Sequence, residues 1–329
     1  MSMDNVIAAF QRHPKFLVSS HVDSEGDALG SQLAVAALLE QMGKEVVLLD
    51  ETPPPKAYQF LPGVQRIRTD IDALVGERFP AVVVVDCPTL KRIGRVAEVI
   101  APGAEMINID HHISNERFGD VNWVEPKAAA VGEMIYELYE RTRQPLSLAA
   151  AQALYVALLV DTGSFRFSNT SSRTHQVAGA LVALGCKPHQ IYEALYEHVP
   201  VSTVLLLSRA LATLQIEEEG RLAWFQISRP MVEESGARLE EADTFIDMVR
   251  VIQGVQVVVL LIQTAVDRVR VSFRSKGLVD VNKMASCFGG GGHVAASGCV
   301  LTGDFEEIQQ RVLAKAREAL SQAYQEVSC

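Results

Sequence analysis

The chain has 329 residues, of which 48% are hydrophobic and 21% charged, and its formal net charge is −10. A single core rarely grows past ~250–300 residues, so this length implies two domains, and the apolar content excludes a disordered chain. Gripping long duplex nucleic acid by its backbone needs a basic face, which this charge balance argues against, although a small basic pocket or a metal site stays compatible with it.

No segment reaches the ~18–20 uninterrupted apolar residues needed to span a bilayer. The longest apolar run, Val255 to Val266, is broken by Gln256 and Gln263. The N-terminus has neither a basic segment nor an apolar core, so it does not read as a secretory signal. The cysteines are Cys87, Cys186, Cys287, Cys299 and Cys329. Their odd number and the absence of C-x-x-C spacing argue against structural zinc and a disulfide framework, and point to a reducing, cytoplasmic location.

In chain order, Phe16 to Ser20 predicts a strand ending at His21, and Ala28 to Met42 a helix stopped by Gly43. Glu45 to Leu49 is the next strand, and Pro53 to Pro55 a rigid turn. The apolar runs Ala81 to Val85 and Met106 to Ile109 have the pattern of strands buried on both faces. Helices follow over Ala128 to Arg143 and Ser147 to Val160. Strands alternating with helices imply an α/β fold with a mainly parallel sheet flanked by helices. Val201 to Leu214 reads as a connecting helix. A smaller α/β domain then contains Arg221 to Ile227, a helix around Phe245 to Ile252, strands Val255 to Ile262 and Arg268 to Phe273, and a last helix from Phe305 to Ala323. The expected division is a first domain over 1–197, a helical linker over 198–214 and a second domain over 215–329.

Acidic residues and histidines recur near the ends of these elements. His21, Glu25 and Asp27 lie between the first strand and the first long helix, with Gly26 expected to permit a tight turn and Gly30 close packing. On its own, that segment also reads as an acidic helix start. Asp86 directly follows the run Ala81 to Val85, where a carboxylate is costly unless paired or metal-bound. Asp110, His111 and His112 follow the next strand, and three ionisable groups in a row there are hard to explain by packing. Asp161 closes the apolar helix, in Asp161-Thr162-Gly163-Ser164. The carboxyl edge of an open α/β sheet is where ligands bind. Carboxylates mixed with imidazoles suit Mn²⁺ or Mg²⁺, and there are enough ligands for two ions, which together clamp a phosphoryl group and generate hydroxide at neutral pH.

The second domain carries Arg274-Ser275-Lys276 at a strand end, then Gly289, Gly290, Gly291, Gly292 and His293 after a helix opened near Val281. Four glycines allow backbone N–H groups to line an anion nest, and Arg274 can hold a phosphate bidentately. No Lys-Ser or Lys-Thr follows the glycines, so this is not a Walker loop.

In this order, His21 to Ser31, Asp86, Asp110-His111-His112 and Asp161 to Ser164 resemble the motifs of the DHH phosphoesterases. Arg274 to Lys276 and Gly289 to His293 resemble the DHHA1 domain that accompanies them. Asp161 to Thr170 is similar to stand-alone nanoRNases that also dephosphorylate pAp (3′-phosphoadenosine 5′-phosphate). The resemblance implies one metal on His21, Glu25 and Asp86, and a second on Asp27, Asp86, His111 and Asp161. It implies that a hydroxide between them attacks phosphorus, that His112 contacts the scissile phosphate, and that Asp110 supports the histidine pair. Arg274, Ser275, the glycines and His293 would hold a second phosphate or the far end of the substrate. The family is usually cytoplasmic, often homodimeric, and acts across the cleft between its domains. This chain departs from the family at Ser24-Glu25, where Pro-Asp is usual, leaving Asp23 as an alternative ligand, and at Asp247, where relatives often carry Asn. The expected activity is hydrolysis of short oligoribonucleotides to mononucleotides and of pAp to AMP, with Mn²⁺. Alternatives are a phosphodiesterase for dinucleotides such as c-di-AMP, pApA or pGpG, and a nucleotide-binding regulator impaired by Glu25.

Overall fold

The computed structural model describes residues 2–242 and 244–327, so Cys329 lies outside the described residues. The chain divides into two compact units, Met1–His198 and Val199–Cys329.

The first unit runs α1 (Met3–Arg12), β1 (Lys15–Ser19), α2 (Gly26–Gln41), β2 (Glu45–Leu48), β3 (Ala81–Val85), β4 (Glu105–Asp110), β5 (Val121–Val124), α3 (Val131–Thr142), α4 (Leu148–Asp161), α5 (Ser172–Ala183) and α6 (Pro188–Tyr196). All pairings in its sheet are parallel, in the order β2-β1-β3-β4-β5. Every residue of β3 is buried, as its five consecutive apolar side chains require. Val83 and Val85 face one core with Phe16, Val18 and Ile107, while Val82 and Val84 face another with Leu17, Phe79 and Ile93. Strand order reverses between β1 and β3, so loops leaving these neighbours go to opposite faces and a crevice opens at their carboxyl ends.

Helices α2 and α4 are buried almost all round, and they cross closely where Gly30 faces Ala153. A Cβ at Gly30 would stand 2.3 Å from the Ala153 carbonyl oxygen, so only glycine fits that contact. Gly26 differs from its expected role. It is the first residue of α2, and a Cβ there would strike Val160, so close packing is its constraint. The left-handed turn residue of this loop is Asp23, at φ 56°.

The second unit runs α7 (Val201–Leu211), β6 (Gln215–Glu217), β7 (Leu222–Ile227), α8 (Arg229–Ser235), α9 (Phe245–Arg250), β8 (Val257–Ala265), β9 (Arg268–Ser275), α10 (Val281–Ser286), β10 (Gly291–Gly292), β11 (Ala296–Thr302) and α11 (Phe305–Val327). Its sheet has the order β10-β11-β9-β8-β7-β6 and is antiparallel except where β7 pairs with β8. Helix α7, read from the sequence as a connection, belongs to this unit: Leu206 and Ala210 are buried with Phe225, Ile227 and Phe245. Among the described residues, no helix is long and apolar enough to cross a membrane.

Candidate metal centre

The carboxyl ends of β1, β3 and β4 deliver His21, Asp86 and the Asp110-His111-His112 segment to one crevice. The start of α2 brings Glu25 and Asp27 there, and the end of α4 brings Asp161. Among the described residues, three groups have ligand atoms within 4.8 Å of one another: His21 with Glu25 and Asp86, Asp27 with His111 and Asp161, and Asp86 with His111 and His112. Asp23 belongs to none of them. Its side chain is exposed, and its backbone N–H donates to Thr52 Oγ1.

Asp86 is the centre of the cluster. One of its oxygens is 3.6 Å from His21 Nε2, and the other is 3.7 Å from His111 Nε2 and 3.5 Å from His112 Nδ1. That second oxygen, Oδ1, is buried without a hydrogen-bond partner. Asp86 also has φ 52°, a left-handed conformation that is uncommon outside glycine, held by its N–H donating to the Ile109 carbonyl. A strained, buried carboxylate with an orphaned oxygen is costly as it stands and is satisfied by a cation.

The imidazoles are oriented for the same purpose. His111 Nδ1 lies 3.1 Å from the Ala128 carbonyl, and His21 Nδ1 lies 2.7 Å from the Val22 carbonyl. A carbonyl only accepts, so each Nδ1 carries a proton, and each Nε2, facing the carboxylates, is the ring nitrogen left to ligate a cation. His111 Nε2 is 3.2 Å from Asp161 and 3.9 Å from Asp27. Asp27 is fully buried at the amino end of α3, where the N–H groups of Val131 and Gly132 donate to its oxygens at 2.6 and 2.9 Å and Ser31 Oγ donates at 2.9 Å. The donor set of carboxylates and imidazoles therefore fits hard or borderline divalent ions, with Asp86 shared.

Electrostatics agree with the geometry. Burial first, then the charge of Asp161, pushes Asp86 up to about 8. Asp27 is raised well above the carboxylate range by burial and by Asp86. Glu25, at the rim, is raised by desolvation and by Asp161. Burial opposes charge on His111, but the Asp161 hydrogen bond and the charges of Asp27 and Asp86 prevail and lift it to about 10. Asp110 is the exception. Burial alone would raise it, yet the His112 hydrogen bond and Asn115 hold it below the usual range.

Asn115 carried no signal in the sequence. Its Nδ2 donates to Asp110 Oδ2 at 2.5 Å and to Asn108 Oδ1 at 2.8 Å. Asn108 Nδ2 in turn donates to the Val84 and Cys87 carbonyls at 3.3 and 3.1 Å. This chain ties the Asp110 carboxylate to the end of β3. Asn169 Nδ2 likewise bridges the Ala129 and Asp161 carbonyls, at 3.0 and 3.1 Å.

Arg274, Ser275, Gly289 to Gly292 and His293 lie in the second unit. Arg274 Nε is 3.3 Å from Asp247 Oδ1, and its Nη1 donates to the Phe273 carbonyl. Ser275 is buried, its hydroxyl accepting from the Gly277 N–H. The glycine run is not the open nest of N–H groups expected from the sequence. Gly289 and Gly290 donate to Ser286 and Ala285 and so cap α10, and Gly291 and Gly292 form strand β10 against Gly298 and Ser297. A Cβ at Gly290 would stand 2.2 Å from the Gly298 carbonyl oxygen, so tight backbone packing demands glycine there. His293 is exposed in the turn that follows.

Comparison with known proteins agrees with this architecture. Residues 15–158 match the DHH family, N-terminal domain, and residues 224–325 match the DHHA1 domain. The bifunctional oligoribonuclease and PAP phosphatase NrnA of Thermus thermophilus is 33% identical over 93% of this chain and 90% of its own length. The protein of the same name from Bacillus subtilis is 29% identical over 89% of this chain and 91% of its own. The crystal structure of an exopolyphosphatase-related protein from Bacteroides fragilis superposes with a TM-score of 0.87 at 23% identity, over 97% of this chain and 95% of that one, and so shares the fold. The chain belongs to the DHH/DHHA1 phosphoesterases, in the family of bifunctional oligoribonucleases and PAP phosphatases, and is a hydrolase of phosphoric ester bonds.

Proposed function

We propose that the protein is a Mn²⁺-dependent phosphoesterase that hydrolyses short oligoribonucleotides to mononucleotides and pAp to AMP. The observation that carries this reading is Asp86, whose two oxygens face different histidines, one of these oxygens being buried without a hydrogen-bond partner. The relatives' names supply the substrate class.

His21, Glu25 and Asp86 would hold one ion, and Asp27, Asp86, His111 and Asp161 the other. When bound, such a pair supplies Lewis acidity toward the phosphoryl group and a hydroxide at neutral pH. The protein's own part is orientation and charge. Hydrolysis joins a water oxygen to phosphorus, breaks the P–O ester bond and leaves a proton for the departing oxygen. His112 Nδ1 is committed to Asp110, so its Nε2 is available to the phosphate. The Asp110 hydrogen bond, opposed by burial, raises His112 above its usual range and favours the protonated ring, which donates to a phosphoryl oxygen as charge builds there. Arg274 would hold a second phosphate, a role suited to nucleotides such as pAp and short RNA, which carry one. A net charge of −10 suits small substrates better than long duplexes.

The test is turnover of pAp, short RNAs and dinucleotides side by side. Chelation should abolish activity and Mn²⁺ should restore it, with Mg²⁺ restoring less. Full activity in chelated, metal-free protein would remove the metal from the reading. Preference for pApA or c-di-AMP over pAp and short RNA would replace the substrate assignment, and binding of pAp without turnover at saturating Mn²⁺ would replace catalysis with nucleotide sensing.

A further inference from the structure

We propose that Arg92 is a phosphate-binding residue of the metal crevice, placed to hold a non-bridging oxygen of the scissile phosphate. The proposal rests on the functional reading above and adds a cation to a site otherwise lined by carboxylates and imidazoles.

Arg92 lies in the 3-10 segment Leu90–Val99 that follows β3, and its backbone is fixed to the site. Its carbonyl accepts from the Val22 N–H at 2.7 Å, which joins the loop after β3 to the loop after β1, and its own N–H donates to the Thr89 carbonyl at 3.0 Å. Two residues on, Gly94 breaks the segment at φ 60°, and the Glu51 carboxylate fills the space its Cβ would need while accepting from the Arg95 N–H. The segment that carries Arg92 is thereby set without substrate.

The side chain is exposed, and its Nη2 lies 3.2 Å from His21 Nδ1. That contact does not satisfy the guanidinium. With Nδ1 protonated toward the Val22 carbonyl at 2.7 Å, the ring offers Arg92 no lone pair there, and a donor faces a donor. Among the described residues, no carboxylate forms an ion pair with Arg92, although its charge reaches Glu25 strongly enough to oppose that group's raised pKa. Neighbouring Arg95 is the contrast, bonded to Asp72 at 2.7 Å and to Glu98 at 3.1 Å. An arginine whose backbone is fixed beside a proposed metal-ligating histidine, with unused side-chain donors, is suited to a planar or tetrahedral oxyanion. Phosphate is the oxyanion that a phosphoesterase delivers there.

The experiment uses the full-length Mn²⁺-loaded protein and its Arg92→Gln and Arg92→Lys variants. Binding of inorganic phosphate is read by calorimetry, turnover of pAp by kcat and KM, and metal content by elemental analysis. Arg92→Gln should weaken phosphate binding roughly tenfold or more and lower kcat/KM by roughly ten- to a hundredfold, at unchanged metal content. Arg92→Lys should fall between, because it keeps the charge and loses the fork. Wild-type phosphate affinity in Arg92→Gln, or a loss explained by missing metal, would overturn the assignment. If the wild type turns over no nucleotide while Arg92→Gln still loses phosphate, the functional reading fails and the site at Arg92 stands.

Discussion

His112 Nδ1 lies 2.7 Å from Asp110 Oδ1, and Asp110 is completely buried. The same Oδ1 accepts the His111 backbone N–H at 2.8 Å, so one carboxylate orders both histidines. Asn115 fixes its other oxygen. In the proposed mechanism, Asp110 is a positioning group acting through His112. Asp110→Asn keeps the shape and loses the charge, so the proton on His112 is less favoured. We expect kcat to fall by roughly ten- to a hundredfold and the limb of the pH–rate profile that reports His112 to move to lower pH. An unchanged profile in the variant would separate Asp110 from that proton.

In the proposed site, Asp86 is the group both sets of ligands share. Asp86→Asn replaces one carboxylate oxygen by a donor facing imidazoles and should remove at least one ion and nearly all turnover. The fold should survive, because burial keeps the Asp86 carboxyl protonated up to about 8 and a neutral amide matches that state. Metal analysis and circular dichroism on the purified variant check this, and near-normal turnover in a folded variant would take Asp86 out of the site.

The raised pKa values make metal binding and stability depend on pH in a defined direction. Folded Asp86 keeps its proton up to about 8, whereas an unfolded Asp loses it near ~4. Folded His111 keeps its proton up to about 10, against ~6.5 when unfolded. In both cases the folded state binds the extra proton, so metal-free protein loses stability as pH rises across these windows. Divalent ions compete with those protons and are favoured by the same rise. Melting temperatures with chelator should therefore fall from pH 5.5 to 8.5, and the gain on adding Mn²⁺ should widen. Curves that stay parallel with and without Mn²⁺ would contradict the assignment of these groups as ligands.

Arg274 is expected to bind rather than to cleave. Losing a charge-assisted phosphate contact costs ~1.5–3 kcal/mol, so Arg274→Ala should reduce kcat/KM for pAp and short RNA by roughly ten- to a hundredfold. The loss should be small on bis-p-nitrophenyl phosphate, which offers no second phosphate, and metal content should not change. Asp247 competes for the same guanidinium at 3.3 Å. Asp247→Asn should accordingly lower KM for pAp, by up to roughly fivefold for a pair this exposed. Equal losses on both substrate types in Arg274→Ala would dismiss this role.

The sequence by itself determined the class of fold and the chemistry of the ligands. Five consecutive apolar residues in Ala81 to Val85 have the pattern of a strand buried on both faces, and an acidic residue following such a strand stands at the sheet's edge. Short or weakly patterned elements were not legible. Strand β5 is four residues long with Asn122 in it, and β11 opens on small residues that carry no strand signal. Only the tertiary structure decided which groups meet. The amide that holds Asp27 belongs to Val131, separated by 104 positions, and Arg92 reaches His21 across 71. It also decided how the glycines are used: Gly289 and Gly290 have the freedom to form a nest, but their N–H groups satisfy the carbonyls at the end of α10. Local pattern specifies what a segment is. Which backbone donors remain free, and which side chains share a crevice, depends on contacts between distant segments that no local pattern encodes.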